Sequence, residues 1–190
     1  MTARQYATPL AFKQALEQRL KSSSATGVDF GRRRQLLVFD RFLARLARVA
    51  GDAVTLKGGL VLELRLARAR TTKDIDLRMM GSSADVLERL QEAGRLDLGD
   101  HMLFEVQLDA DHPEIQNEGT RCDSFRYRAE CRLAGVIYSR PFGVDVAFGD
   151  PLVGELAYPR EGVLTGVRPC PAAATARAAS PGRRDGGCSW

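Results

Sequence analysis

Val54-Thr55-Leu56-Lys57-Gly58-Gly59-Leu60 and, ten residues on, Arg70-Thr71-Thr72-Lys73-Asp74-Ile75-Asp76-Leu77 decide how this chain reads. The first run is apolar and closes on a lysine and a glycine pair, the form of a strand turning into a helix. The second alternates acidic and apolar residues. Side chains on a strand alternate between faces, so Asp74 and Asp76 share one face while Ile75 and Leu77 take the core side. Two carboxylates on one face repel each other unless a cation lies between them. Gly58 and Gly59 allow the positive φ of a tight turn and close approach by a ligand, and the free N–H groups of a helix start favour phosphate. The stretch therefore reads as a nucleotide and metal site.

Asp-x-Asp alone is a weak signal, and the chain supplies its own control. Asp109-Ala110-Asp111 has the same spacing but no upstream Gly-Gly, and it runs into His112-Pro113 with no apolar neighbours to make a strand. That pair reads as a solvated loop. Two exposed aspartates at a strand end remain the plain alternative for Asp74 and Asp76, and the surrounding strand and glycine pair favour the metal role.

The chain has 190 residues, of which 44% are hydrophobic, enough for one domain or one domain with an appendage. No apolar run reaches the roughly 18 residues of a membrane span. Met1 to Tyr6 has no apolar targeting segment, so a cytoplasmic protein without membrane contact is expected. Cys122, Cys131, Cys170 and Cys188 are widely spaced, which supports free thiols over zinc or disulfides. A net charge of +4 suits nucleotide or nucleic-acid partners and equally an ordinary soluble protein.

Along the chain, Thr8-Pro9 starts a helix carrying Phe12, Leu16 and Leu20 on one stripe. A second helix over 31–50 is expected to bury Leu36, Phe39, Leu43, Leu46 and Ala50, with Arg34, Arg41, Arg45 and Arg48 outside that stripe. With no helix-turn-helix partner, those arginines read as a solvated basic face instead of a DNA reader. Strands are expected over 54–57 and 73–79, with a short helix over 59–67 between them. A helix over 82–93, stopped by Gly94, comes next, then a strand over 102–108. In 125–133, Phe125, Tyr127, Ala129, Cys131 and Leu133 face in while Arg126, Arg128, Glu130 and Arg132 face out. Short strands follow over 136–138 and 142–148. Beyond Val167 the composition shifts to Ala, Pro, Gly and Arg, so a core over 1–167 and a flexible, disordered tail over 168–190 are expected. His101 and His112 have no ligand spacing, and Lys57 precedes its glycines, so no Walker loop is present.

A Gly-Gly pair, a helix of about ten residues and Asp-x-Asp resemble the minimal nucleotidyltransferase superfamily. Leu56-Lys57-Gly58-Gly59 followed by Arg70-Thr71-Thr72-Lys73-Asp74-Ile75-Asp76-Leu77 is more closely similar to the AbiEii/AbiGii-type nucleotidyltransferase toxins, including the mycobacterial MenT group. The resemblance spans 36–167. It implies an α/β fold: a small mixed sheet of the nucleotidyltransferase (polymerase β-like) type with flanking helices. It also implies an Mg²⁺-dependent enzyme that transfers NMP from an NTP to an acceptor. Asp74 and Asp76 are then catalytic metal ligands, and Val144-Asp145-Val146 has the hydrophobic, acid, hydrophobic form of the family's third carboxylate. A solvent-facing acid on an edge strand is the alternative for Asp145. Lys57, Gly58, Gly59, Arg70 and Thr72 are implied on the nucleotide side.

The acceptor that the resemblance implies is RNA, commonly the tRNA 3′ end, and the partner is a cognate antitoxin. A small-molecule nucleotidyltransferase of the antibiotic-modifying kind and a non-catalytic nucleotide or nucleic-acid binding module stay open. The toxins continue past the third carboxylate into helices with a Glu-Lys pair, and none follows Asp150 here. A C-terminally truncated or frame-altered chain with impaired catalysis is therefore expected.

Overall fold

The computed structural model describes residues 6–23, 27–65, 71–111 and 124–148. Helix α1 (Pro9–Ser22) begins where Thr8 Oγ1 accepts the Ala11 N–H at 3.2 Å, with Pro9 at its first position. The threonine meets a donor that the helix itself leaves unmatched, and proline has no such donor to lose. Leu16 and Leu20 are buried.

Helix α2 (Gly27–Ala50) departs from the expected stripe. Leu37, Val38, Phe39, Phe42 and Leu46 are buried, whereas Leu36 and Leu43 only pack against the core. Arg41 and Arg45, expected outside, lie inside. Arg45 is fully buried: the Asp100 carboxylate and the carbonyls of Arg41, Leu96 and Met102 accept all of its N–H groups. A guanidinium tolerates burial when each of its donors is matched, and here that matching pins α2 to the chain before the third strand.

A 3-10 turn (Gly51–Ala53) leads to β1 (Val54–Lys57), α3 (Gly58–Arg65) and β2 (Ile75–Met79). Then come α4 (Val86–Arg95), β3 (Met102–Leu108), β4 (Ser124–Leu133), β5 (Val136–Ile137) and β6 (Phe142–Ala147). The sheet order is β1-β2-β6-β4-β3, with β5 beside β4. The β2–β6 pair is parallel and the other described pairs are antiparallel, which gives the open mixed sheet with flanking helices.

Period-two burial gives the sheet two unlike faces. Ile75, Leu77, Val144, Val146, Tyr127, Ala129 and Phe104 are buried together. Phe39 and Phe42 of α2 meet the Phe142 ring edge-on, and Phe42 also meets Phe104. The opposite face carries the charged residues of the same strands. Helix α4 crosses β3 so closely that a Cβ on Gly94 would run into the Phe104 carbonyl oxygen. Gly94 thus serves close packing inside α4, which continues to Arg95, and is not the stop that was expected.

Asp109 Oδ1 accepts the Asp111 N–H at 3.1 Å in a turn where Asp111 is exposed, as expected, and Asp109 is half-buried with its N–H on the Arg126 carbonyl. Cys131 is a buried free thiol, pushed up to about 12 by burial. Among the described residues no helix is long and apolar enough to cross a membrane. Arg70, Asp150, Cys122, Cys170, Cys188, the 168–190 tail and its boundary with 1–167 lie outside the described residues.

Candidate active site

Sheet register builds the site. Lys57 pairs with Asp76 across β1 and β2, Asp76 with Asp145 across β2 and β6, and Asp145 with Arg126 across β6 and β4. One transverse row therefore reads lysine, aspartate, aspartate, arginine. All lie at positions alternating with buried Ile75, Leu77, Val144, Val146 and Tyr127, so period-two geometry puts them on the charged face.

The glycine pair makes room for this row. Gly58 has φ +70, and a Cβ added there would stand 2.6 Å from Asp76 Cγ. No side chain other than hydrogen combines that backbone with that neighbour. The Asp76 carboxylate lies against Gly58 at the start of α3, where the Gly59 N–H favours its charged form. Burial and then the Asp145 charge raise the Asp76 carboxyl above its ordinary value, with a smaller push from Asp74, against the Gly59 bond and the Lys57 charge. Three carboxylates thus act on one another across two strands.

Asp74 precedes β2 and reaches over to β6, where the Gly143 N–H donates to its Oδ1 at 3.1 Å. A Cβ on Gly143 would lie 2.8 Å from that same oxygen. A glycine inside a strand marks a close approach, and here the approaching group is a carboxylate.

Thr72 is tied inward. Its N–H donates to Glu63 Oε2 at 3.0 Å, its hydroxyl donates to the Asp74 carbonyl at 3.2 Å, and its own carbonyl accepts Arg32 NH1 at 2.8 Å. Arg32 of α2 also forms a bidentate pair with Glu63 of α3. This triangle fixes the chain that delivers Asp74. Gly59 stands beside it, its Cβ position 3.4 Å from Thr72 Cβ.

Sequence alternation puts Arg126 on the outward face, and in the structure it is part of the site. Its Nε donates to Asp145 Oδ1 at 2.7 Å and its NH2 to Oδ2 at 2.6 Å, while NH2 also stands 4.0 Å from Asp74 Oδ2. The bidentate bond raises the guanidinium above its ordinary value. Arg32, Glu63 and Gly143 were also missed. A signal for Arg126 existed: an arginine between Phe125 and Tyr127 and an aspartate between Val144 and Val146 are opposite charges at matching strand positions, the pairing that adjacent strands favour.

As donors, three carboxylates on neighbouring strands are hard oxygen ligands and fit Mg²⁺ in kind. Among the described residues no group of three or more acidic, histidine or cysteine side chains is already gathered for a metal ion. Asp145 has both oxygens on Arg126 instead.

The family model for the nucleotidyl transferase AbiEii toxin of type IV toxin–antitoxin systems matches residues 41–168. The chain belongs to the AbiEii family. That match contains every aspartate of the row and the whole sheet. Among solved structures, JHP933 from Helicobacter pylori is similar at 15% identity and a TM-score of 0.42, covering 63% of this chain and 46% of that one. An H. pylori protein carrying a nucleotidyltransferase assignment is similar at 15% identity and a TM-score of 0.38, covering 60% of this chain and 44% of that one. The chain spans less than half the length of either. No curated protein matches it.

Proposed function

We propose that this chain transfers a nucleoside monophosphate from an NTP to an RNA acceptor, the tRNA 3′ end, as a cytoplasmic toxin restrained by a cognate antitoxin. The observation that carries the reading is the register that sets Asp76 beside Asp145, with Asp74 bound to the same strand and Gly58 opening α3 next to them. The antitoxin is supported by membership in a family of toxin–antitoxin systems, and the RNA acceptor is carried over from the resemblance to the nucleotidyltransferase toxins.

Asp74, Asp76 and Asp145 would hold Mg²⁺, which supplies charge stabilisation at the phosphates and a more acidic attacking hydroxyl. In the transfer, the acceptor oxygen bonds to the α-phosphorus, the bond from that phosphorus to the bridging oxygen breaks, and pyrophosphate leaves. Lys57 adds positive charge on the row, and the bare Gly58 keeps the β1–α3 turn open to a phosphate. Asp145 completes the oxygen donor set or accepts the proton of the attacking hydroxyl at a carboxylate oxygen. Thr72, Glu63 and Arg32 position Asp74.

Incubation with each of the four α-labelled NTPs and Mg²⁺, against bulk tRNA and against aminoglycosides, tests the reading. Label in tRNA is the expected result. Label on the drug identifies a small-molecule transferase, and NTP bound without any transfer identifies a binding module.

A further inference from the structure

The Arg126 guanidinium touches Asp145 through two hydrogen bonds and stands 4.0 Å from Asp74, so it bridges the two carboxylates that flank the β6 side of the site. We propose that Arg126 is the exchangeable counter-cation of the carboxylate site: it holds Asp145 while no divalent cation is bound, and loading of the cation displaces it. The inference rests on the metal role given to Asp74, Asp76 and Asp145.

Charge favours the exchange. Arg126 stands against Asp145 and Asp74, with the Asp109 carboxylate also close enough to act on it. A divalent cation added without any movement would sit close to a guanidinium. Like charges at such separations repel strongly wherever water is partly excluded. Geometry gives the same answer. Asp145 spends both oxygens on one planar fork at 2.7 and 2.6 Å, so it cannot turn toward a position shared with Asp76 while that fork is closed.

The side chain is also able to leave. Arg126 keeps 33% of its side-chain surface exposed, against 17% for Asp145. Its neighbours on β4, Phe125 and Tyr127, pack with the core and hold the strand while the guanidinium moves. This separates it from Arg45, which is fully buried with every donor matched and has nowhere to swing.

Calorimetric titration of the full chain with Mn²⁺ alone tests the exchange, comparing wild type with Arg126→Ala and Arg126→Lys, and with metal-free unfolding followed in parallel. A competing cation predicts that Arg126→Ala binds Mn²⁺ about tenfold or more tightly than wild type, although its metal-free form is less stable. Arg126→Lys, with a charge but no fork, falls between the two and serves if the alanine variant does not fold. Equal or weaker Mn²⁺ binding in both variants would overturn the exchange and leave Arg126 as a fixed support of Asp145. Absence of Mn²⁺ binding in wild type and variants alike would overturn the metal site itself, and the exchange with it.

Discussion

Gly58 and Asp76 share one volume: the place where a Cβ at 58 would lie, 2.6 Å from Asp76 Cγ, is filled by the aspartate carboxylate. Lys57 and Asp76 are strand partners, so the carboxylate has nowhere to retreat along the row without losing the Gly59 N–H. Gly58→Ala should therefore destabilise the chain by about 1–3 kcal/mol, through the left-handed backbone and the collision together. It should also abolish Mg²⁺-dependent NTP binding. Urea unfolding and nucleotide titration of the variant check the two effects separately.

Asp76 and Asp145 should respond oppositely to loss of charge in the absence of metal. The carboxyl of Asp76 is raised in the folded chain, so it binds its proton more tightly there than in the unfolded chain, and its ionisation lowers stability as pH rises from 3.8 through the folded value. Asp76→Asn should match wild type below that window and exceed it in stability above. Asp145→Asn instead leaves Arg126 with a poorer partner and should lose about 1–2 kcal/mol at neutral pH. Thermal unfolding of the three proteins from pH 3 to 7 checks both signs.

Much of this site was legible because its first half is local in sequence. Lys57, Gly58, Gly59, Asp74 and Asp76 fall within 20 residues, and strand alternation orients Asp76, while Asp74 lies just before β2 and is held by the Gly143 N–H. Asp145 was legible as an acid between two valines, but its registration against Asp76 was not, since pairing across β2 and β6 is settled by the whole sheet. Arg126 was placed on the outward face correctly. What the sequence did not tell was that this outward face is the one carrying the aspartates. The α2 stripe failed for another reason: helical periodicity treats every arginine as polar, while Arg45 is buried because acceptors 51 to 57 residues away meet it.

Arg45→Met should be among the most damaging single changes outside the site. It strands the Asp100 carboxylate, only 6% exposed, without its cation, a loss of about 3–5 kcal/mol. Adding Asp100→Leu should recover much of that loss, because an apolar pair of similar volume replaces the ion pair. Urea denaturation of the single and double variants gives the comparison.

Gly94→Ala tests the contact between α4 and β3. Helix propensity favours alanine, yet the added methyl would meet the Phe104 carbonyl, so α4 must lift from the sheet. A net loss of about 1–3 kcal/mol is expected in chemical denaturation. A gain in stability would mean that Gly94 is not a packing residue.

Calorimetric NTP binding with and without Mg²⁺ to wild type, Asp74→Asn and Asp76→Asn tests whether Asp74, Asp76 and Asp145 form a functional site. Metal-free unfolding of each protein is measured alongside. Mg²⁺-dependent binding is expected in wild type and its loss in both variants, with metal-free stability that stays level or rises. Unchanged binding, or variants several kcal/mol less stable without metal, would contradict it and make these aspartates structural.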